Sequence, residues 1–207
     1  MKILKLSSKQ ILRKTLQVIT KGGVVVCPTD TIYGLIADAE NKTAVRKIFK
    51  LKKRSIKKPL PVFVRDLKMA RHLANINKKQ EKILKNCWPG KLTAVLKAKP
   101  LNLPKGILSK DKKIGLRMPD YKFLKDLLKK INRPLVETSA NISGKKALTK
   151  AKEVLKEFEE QKYQPDLFLD AGNLKPSLPS TVIDLTNLKI LRKGQIKKSK
   201  ILKILNI

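Results

Sequence analysis

The stretch GGVVVCPTDTIYGL, residues 22–35, decides the fold class. Val24-Val25-Val26 is a short, unbroken β-branched run, the pattern of a strand buried on both faces. Pro28 ends that strand, and Gly22-Gly23 before it stop a helical pattern. The helix places Ile11, Leu12, Leu16 and Ile19 on one face, with Ser8 as its expected cap. A helix feeding a buried strand is one unit of an alternating chain, and the alternation continues outward. Asn41 is placed to cap a helix through Phe49, Asp66 opens a helix containing His72, and Asp120 is placed to cap one through Leu128. Thr149 is expected to start the helix KAKEVLKEFEE, and KSKILKILNI at the end is amphipathic, either a terminal helix or a frayed tail. Strands are expected at Pro61 to Val64, Leu92 to Leu96, Ile114 to Arg117, Leu135 to Thr138, Leu167 to Leu169, Thr181 to Leu185 and Lys189 to Leu191. This is an α/β pattern. With no repeat and no low-complexity linker, residues 1–207 are expected to form a single domain.

Composition narrows the chemistry. The 207 residues carry 49 Lys+Arg against 16 Asp+Glu, a net charge of +33, and 42% are hydrophobic, enough for a core. No apolar run approaches the roughly 18 residues that span a bilayer. The start, MKILKLSSKQ, lacks the apolar stretch of a secretory signal, so a cytoplasmic protein without a membrane role is expected. Two cysteines and one histidine exclude a disulfide framework and a four-ligand Cys/His zinc site. Nucleophile–histidine catalysis could use only His72, which sits in a helical pattern. Cys27 reads as a buried strand-end thiol. The charge predicts affinity for anions and invites RNA. However, 41 of the basic residues are lysines scattered along the chain, and aromatics, the usual stacking platform for single strands, make up only 4%.

Neither GxGxxG nor GxxxxGK[ST] occurs. A bound nucleotide would have to be held by side chains and irregular loops. Four loops stand out. PTDTIYGL, residues 28–35, sets two hydroxyls and a carboxylate beside a glycine. KLKKRSIKKPL, residues 50–60, packs basic side chains that repel one another unless solvated or facing a polyanion. TSANISG, residues 138–144, offers a hydroxyl, an amide and backbone donors after a strand. STVIDL, residues 180–185, is followed by ILRKG, residues 190–194. Singly, each reads equally well as an ordinary turn or a solvated loop.

In this order, together with WPGKLT, GLRMP and the K-x-R of Lys52 and Arg54, these motifs make the chain resemble the YrdC-like family of threonylcarbamoyl-AMP synthases. The resemblance runs from about residue 22 to 194, and at this length it is to the family's short form. It implies an α/β domain with a twisted, mostly parallel sheet and a large basic cavity. It also implies a reaction in which L-threonine, bicarbonate and ATP give threonylcarbamoyl-AMP and pyrophosphate, with Mg2+ accompanying ATP. A separate transferase would then carry the threonylcarbamoyl group to adenosine 37 of tRNA. By motif position, Thr31, Arg117, Ser139 and Ser180 would contact threonine. Lys52, Arg54, Lys58, Asn141, Thr149 and Arg192 would contact ATP, with Lys52, Arg54, Ser139 and Asn141 at the reacting groups. Such chemistry needs charge and positioning rather than a protein nucleophile. The chain departs from the family pattern at Ser55, commonly Pro, at Lys58, often Asn, at Phe63, often His, and at Lys113, often Thr. The competing reading is a non-catalytic protein of the same fold that binds tRNA or double-stranded RNA. A third is a relative that uses another carbamoyl-type substrate.

Overall fold

The computed structural model describes residues 1–206. In chain order the elements are β1 (Lys2–Lys5), α1 (Ile11–Thr20), β2 (Val25–Pro28), β3 (Tyr33–Asp38), α2 (Lys42–Lys52), β4 (Val62–Phe63), α3 (Leu67–Leu73), α4 (Lys78–Cys87) and β5 (Leu92–Lys97). There follow β6 (Lys113–Arg117), α5 (Lys122–Ile131), β7 (Leu135–Ser139), α6 (Ala151–Glu159), β8 (Leu167–Asp170), β9 (Thr181–Asp184), β10 (Lys189–Arg192) and α7 (Lys198–Leu205). All these strands join one sheet in the order β1-β8-β2-β3-β7-β4-β6-β5-β9-β10.

The sheet lies between two helical layers. Val25, Cys27 and Ile36 point to a core closed by Ile11 and Ile19 of α1 and Leu124, Leu127 and Leu128 of α5. Val24, Val26, Leu35 and Ala37 point to the opposite core, closed by residues of α2, α3, α4, α6 and α7. Burial on both faces explains the unbroken apolar run that reads as a central strand. The sheet is mixed rather than mostly parallel. β1–β8, β2–β8, β4–β6 and β5–β9 pair parallel, whereas β2–β3, β3–β7, β4–β7, β5–β6 and β9–β10 pair antiparallel.

The antiparallel character originates in the opening stretch. Pro28 ends β2, as expected, but does so paired with Tyr33, and the chain turns back at once into β3. The hairpin is tied by Thr29, whose backbone nitrogen and Oγ1 both donate to the Ile32 carbonyl, at 3.2 and 2.7 Å. Part of what reads as a loop is therefore a central strand. Asn41 and Asp66 cap α2 and α3 as expected, accepting from the Ala44 and Met69 amides. Three caps differ. Ser8 supplies only a backbone carbonyl to Ile11, Asp120 accepts from Lys125 instead of capping, and α6 begins after Lys150 rather than at Thr149. β1 and α4 carry no counterpart among the expected elements.

Candidate functional site

Two residues divide the work at the end of α2. Lys53 adopts a left-handed conformation, φ 48°, and the Lys53 and Arg54 amides bond back to Lys50 and Phe49. This turn closes the helix. It leaves Lys52 as the last helical residue, aimed inward, while Arg54 leaves along the departing chain. The Lys52 side chain is almost wholly buried and its ammonium donates to the Ser139 carbonyl at 2.6 Å, the Asn141 carbonyl at 2.8 Å and Asn141 Oδ1 at 3.0 Å. Burial, then the charge of Arg54, pushes its pKa down to about 7. Arg54 donates to the Lys58 and Pro59 carbonyls and faces a cavity.

Asn141 completes the Lys52 cage from the other side. Its Oδ1 accepts from Ser139 Oγ at 2.6 Å, and its Nδ2 donates to the Lys145 and Lys146 carbonyls at 2.5 and 3.2 Å. The loop after β7 is thus wound around one buried amide and one buried ammonium. Ser139 remains on the cavity wall, while Lys52 and Asn141 stand behind it.

The cavity has a volume of about 340 Å³, within the range of small-ligand sites. It opens where β3, β7, β6, β5 and β9 approach one another. Arg117, at the end of β6, is 2% exposed and joins three motifs at once. Its Nε donates to the Gly90 carbonyl at 3.0 Å and its Nη2 to Asp30 Oδ1 at 2.6 Å, and its guanidinium lies 5.6 Å from the centre of the Phe63 ring. Thr31 shares a 3.0 Å hydrogen bond with Thr29, and Ser180 one of 2.9 Å with Thr93. Arg192 grips Ser180, donating to its carbonyl from Nε and Nη2 and to its Oγ from Nη2. Lys113 also faces the cavity, its ammonium 2.7 Å from Asp184 Oδ2.

Of the residues singled out by motif, Thr31, Arg54, Arg117, Ser139, Ser180 and Arg192 share this wall. Lys58 is exposed and enters only through its carbonyl, and Thr149 lies outside the lining, its carbonyl accepting from Leu174. Three participants are not singled out by motif reading. Asp30 and Gly90 lie inside PTDTIYGL and WPGKLT but carry no assigned role there until Arg117 reaches them, and Glu137 lies in β7 with no local pattern to mark it. Cys27 is fully buried, its thiol pKa pushed up by burial, and His72 is exposed on α3.

The model of the Sua5–YciO–YrdC family, described as telomere recombination, matches residues 17–194. The chain belongs to this family. A Methanocaldococcus jannaschii protein, named as a candidate threonylcarbamoyl-AMP synthase, is 40% identical over 93% of the chain and 90% of its own length. The threonylcarbamoyl-AMP synthase of Pyrococcus abyssi is 34% identical over 90% of the chain, which spans only 55% of that relative. The crystal structure of P. abyssi Sua5 complexed with L-threonine superposes with a TM-score of 0.88 at 31% identity, covering 99% of the chain and 60% of that protein. Family membership and fold thus agree over nearly the whole chain.

Proposed function

We propose that the chain makes threonylcarbamoyl-AMP and pyrophosphate from L-threonine, bicarbonate and ATP, and that residues 1–207 act as one domain. The observation that carries this reading is the convergence of the separated motifs on one cavity walled by guanidinium groups and hydroxyls. Threonine's ammonium gives up a proton, and the free amine bonds to carbon dioxide derived from bicarbonate and releases a second proton to leave a carbamate anion. A carbamate oxygen then bonds to the α-phosphorus of ATP while the bond to pyrophosphate breaks. Both partners are anions, so the site must offset their repulsion and align them.

Arg54 and Arg192 suit the phosphates. Each faces the cavity with protein partners that are uncharged, so each brings a net positive charge. Neither bond of Arg117 uses Nη1, which is left for the amino acid's carboxylate. Thr31, Ser139 and Ser180 supply hydroxyls along the same wall. Lys52 and Asn141 hold the Ser139 loop in register rather than reaching the cavity themselves. Among the described residues no cluster of three or more His, Cys, Asp or Glu is arranged for a metal, and we read Mg2+ as arriving on the ATP phosphates. The product would pass to a transferase that modifies adenosine 37 of tRNA. No helix among the described residues is long and apolar enough to cross a membrane.

The test is pyrophosphate release from ATP by the purified chain. Release that requires both L-threonine and bicarbonate is expected; release indifferent to threonine would overturn the synthase reading.

A further inference from the structure

The charges around the cavity do not match a purely anionic occupant. Arg117 is paired with Asp30 and Lys113 with Asp184, leaving Arg54 and Arg192 for phosphates. Against them stands Glu137, the one acidic side chain on the wall. It sits mid-strand in β7, opposite Ile36 of β3, with its backbone amide bonded to the Pro61 carbonyl at 2.9 Å. It points to the same side of the strand as Ser139, two residues on. Among the described residues no donor reaches its carboxylate, although the residue is only 9% exposed. The carboxylate meets the cavity rather than being sealed in, and a carboxylate in so confined a place is costly to keep charged unless a cation joins it.

We propose that Glu137 is the counter-ion of the substrate's α-ammonium group, so that the cavity selects an amino acid over the corresponding hydroxy acid. This rests on the reading of an amino-acid substrate above. A zwitterion needs partners of opposite sign close together, and Arg117 and Glu137 supply that pair in one cavity. A triphosphate alone gains nothing from a carboxylate facing it. Burial pushes the Glu137 carboxyl above its ordinary value, against the pull of Arg117 and Arg192, and an arriving ammonium favours the charged form. Arg54 and Arg192 would then hold the nucleotide, so that the two substrates are sorted by charge before they react.

Calorimetry on the full chain tests this with L-threonine, its 2-hydroxy analogue 2,3-dihydroxybutanoate, and magnesium–ATP as probes. The wild-type chain should bind L-threonine about 10- to 100-fold more tightly than the hydroxy acid, the range for a hydrogen bond to a charged group. Glu137→Gln should lose most of that preference while binding magnesium–ATP no more weakly, and Glu137→Asp should restore part of it. Equal binding of the two acids by the wild-type chain overturns the proposal, even if the glutamine variant does not fold. So does a folded glutamine variant with wild-type threonine affinity, or one whose magnesium–ATP affinity falls as far as its threonine affinity, which would mark a metal-holding or structural role. Failure of the synthase reading is separate. It would appear as threonine-independent pyrophosphate release by the wild-type chain, whatever the binding preference.

Discussion

The Lys52 ammonium lies within 3.0 Å of three oxygens of the loop after β7, whereas Arg54, two residues later, faces the cavity. Replacing them should therefore have different consequences. Arg54→Ala removes a charge from the wall and should lower kcat/KM for ATP about 10- to 1000-fold. Its melting temperature should stay near wild type, because Arg54 holds only two carbonyls at the rim. Lys52→Ala leaves buried carbonyl oxygens without a donor, at a cost of about 1–3 kcal/mol. It should lose activity and melting temperature together. Thermal melts and pyrophosphate kinetics on both variants check this, and equal losses of stability would contradict the division. Asn141 belongs with Lys52. Its amide uses both ends inside the loop, so Asn141→Ala should also destabilise measurably as well as impair turnover. Seen as sequence alone, that amide reads as a loop side chain whose loss costs little. Phe63 has a similar lesson. Its ring lies 5.6 Å from the Arg117 guanidinium, a contact between neighbouring strands that the sequence does not announce.

At the scale of elements, the sequence places a helix start where a side-chain cap precedes an apolar period, and misplaces it where only the backbone caps. Asn41 and Asp66 cap their helices with carboxyl or amide oxygens, whereas α1 and α5 begin without a side-chain cap. α4 is not legible in the sequence despite a full capping box, Asn77 with Gln80, because KKQEKILKNC is mostly polar. Asn77→Ala should cost about 1 kcal/mol of stability, read as a lower melting temperature, with kcat unchanged because α4 contributes nothing to the cavity wall. Gly194 presents the opposite case. A Cβ there would overlap the Pro179 carbonyl oxygen, the Ser180 carbonyl carbon and the Thr181 nitrogen, all backbone. The chain after β10 crosses the start of β9 at a distance only glycine permits. Gly194→Ala must push these segments apart and loosen the grip of Arg192 on Ser180, so we expect ATP affinity to fall more than thermal stability. Unchanged ATP affinity in that variant would show that the Arg192–Ser180 contact is not needed.

For the whole molecule, +33 is spread over many surface lysines, while the basic groups of the wall are each held by individual partners. Any tRNA binding through about 6–10 phosphate contacts should weaken about 10³- to 10⁵-fold between 50 and 200 mM salt. Pyrophosphate release without tRNA should fall only about a few-fold over that range, because Arg54 is half-buried and Arg117 buried, and such charges are screened less than surface ones. Measuring both at each salt concentration separates surface attraction from site chemistry; parallel losses would place catalysis on the same exposed lysines. The sequence alone determined the alternation of helices and strands, the central buried strand and the motifs that meet in the cavity. These are local properties, set by hydrophobic runs, caps and short clusters of functional side chains. It could not reveal that Pro28 pairs with Tyr33 to fold β3 back into the sheet, because strand pairing joins residues through a backbone common to all of them. Nor could it show that Arg117 is neutralised by Asp30, that Lys52 is enclosed by the Ser139–Asn141 loop, or that Glu137 faces the cavity without a partner. Those pairings join residues 87 or more positions apart, or depend on what a strand faces across the sheet, and only the packed chain brings them together.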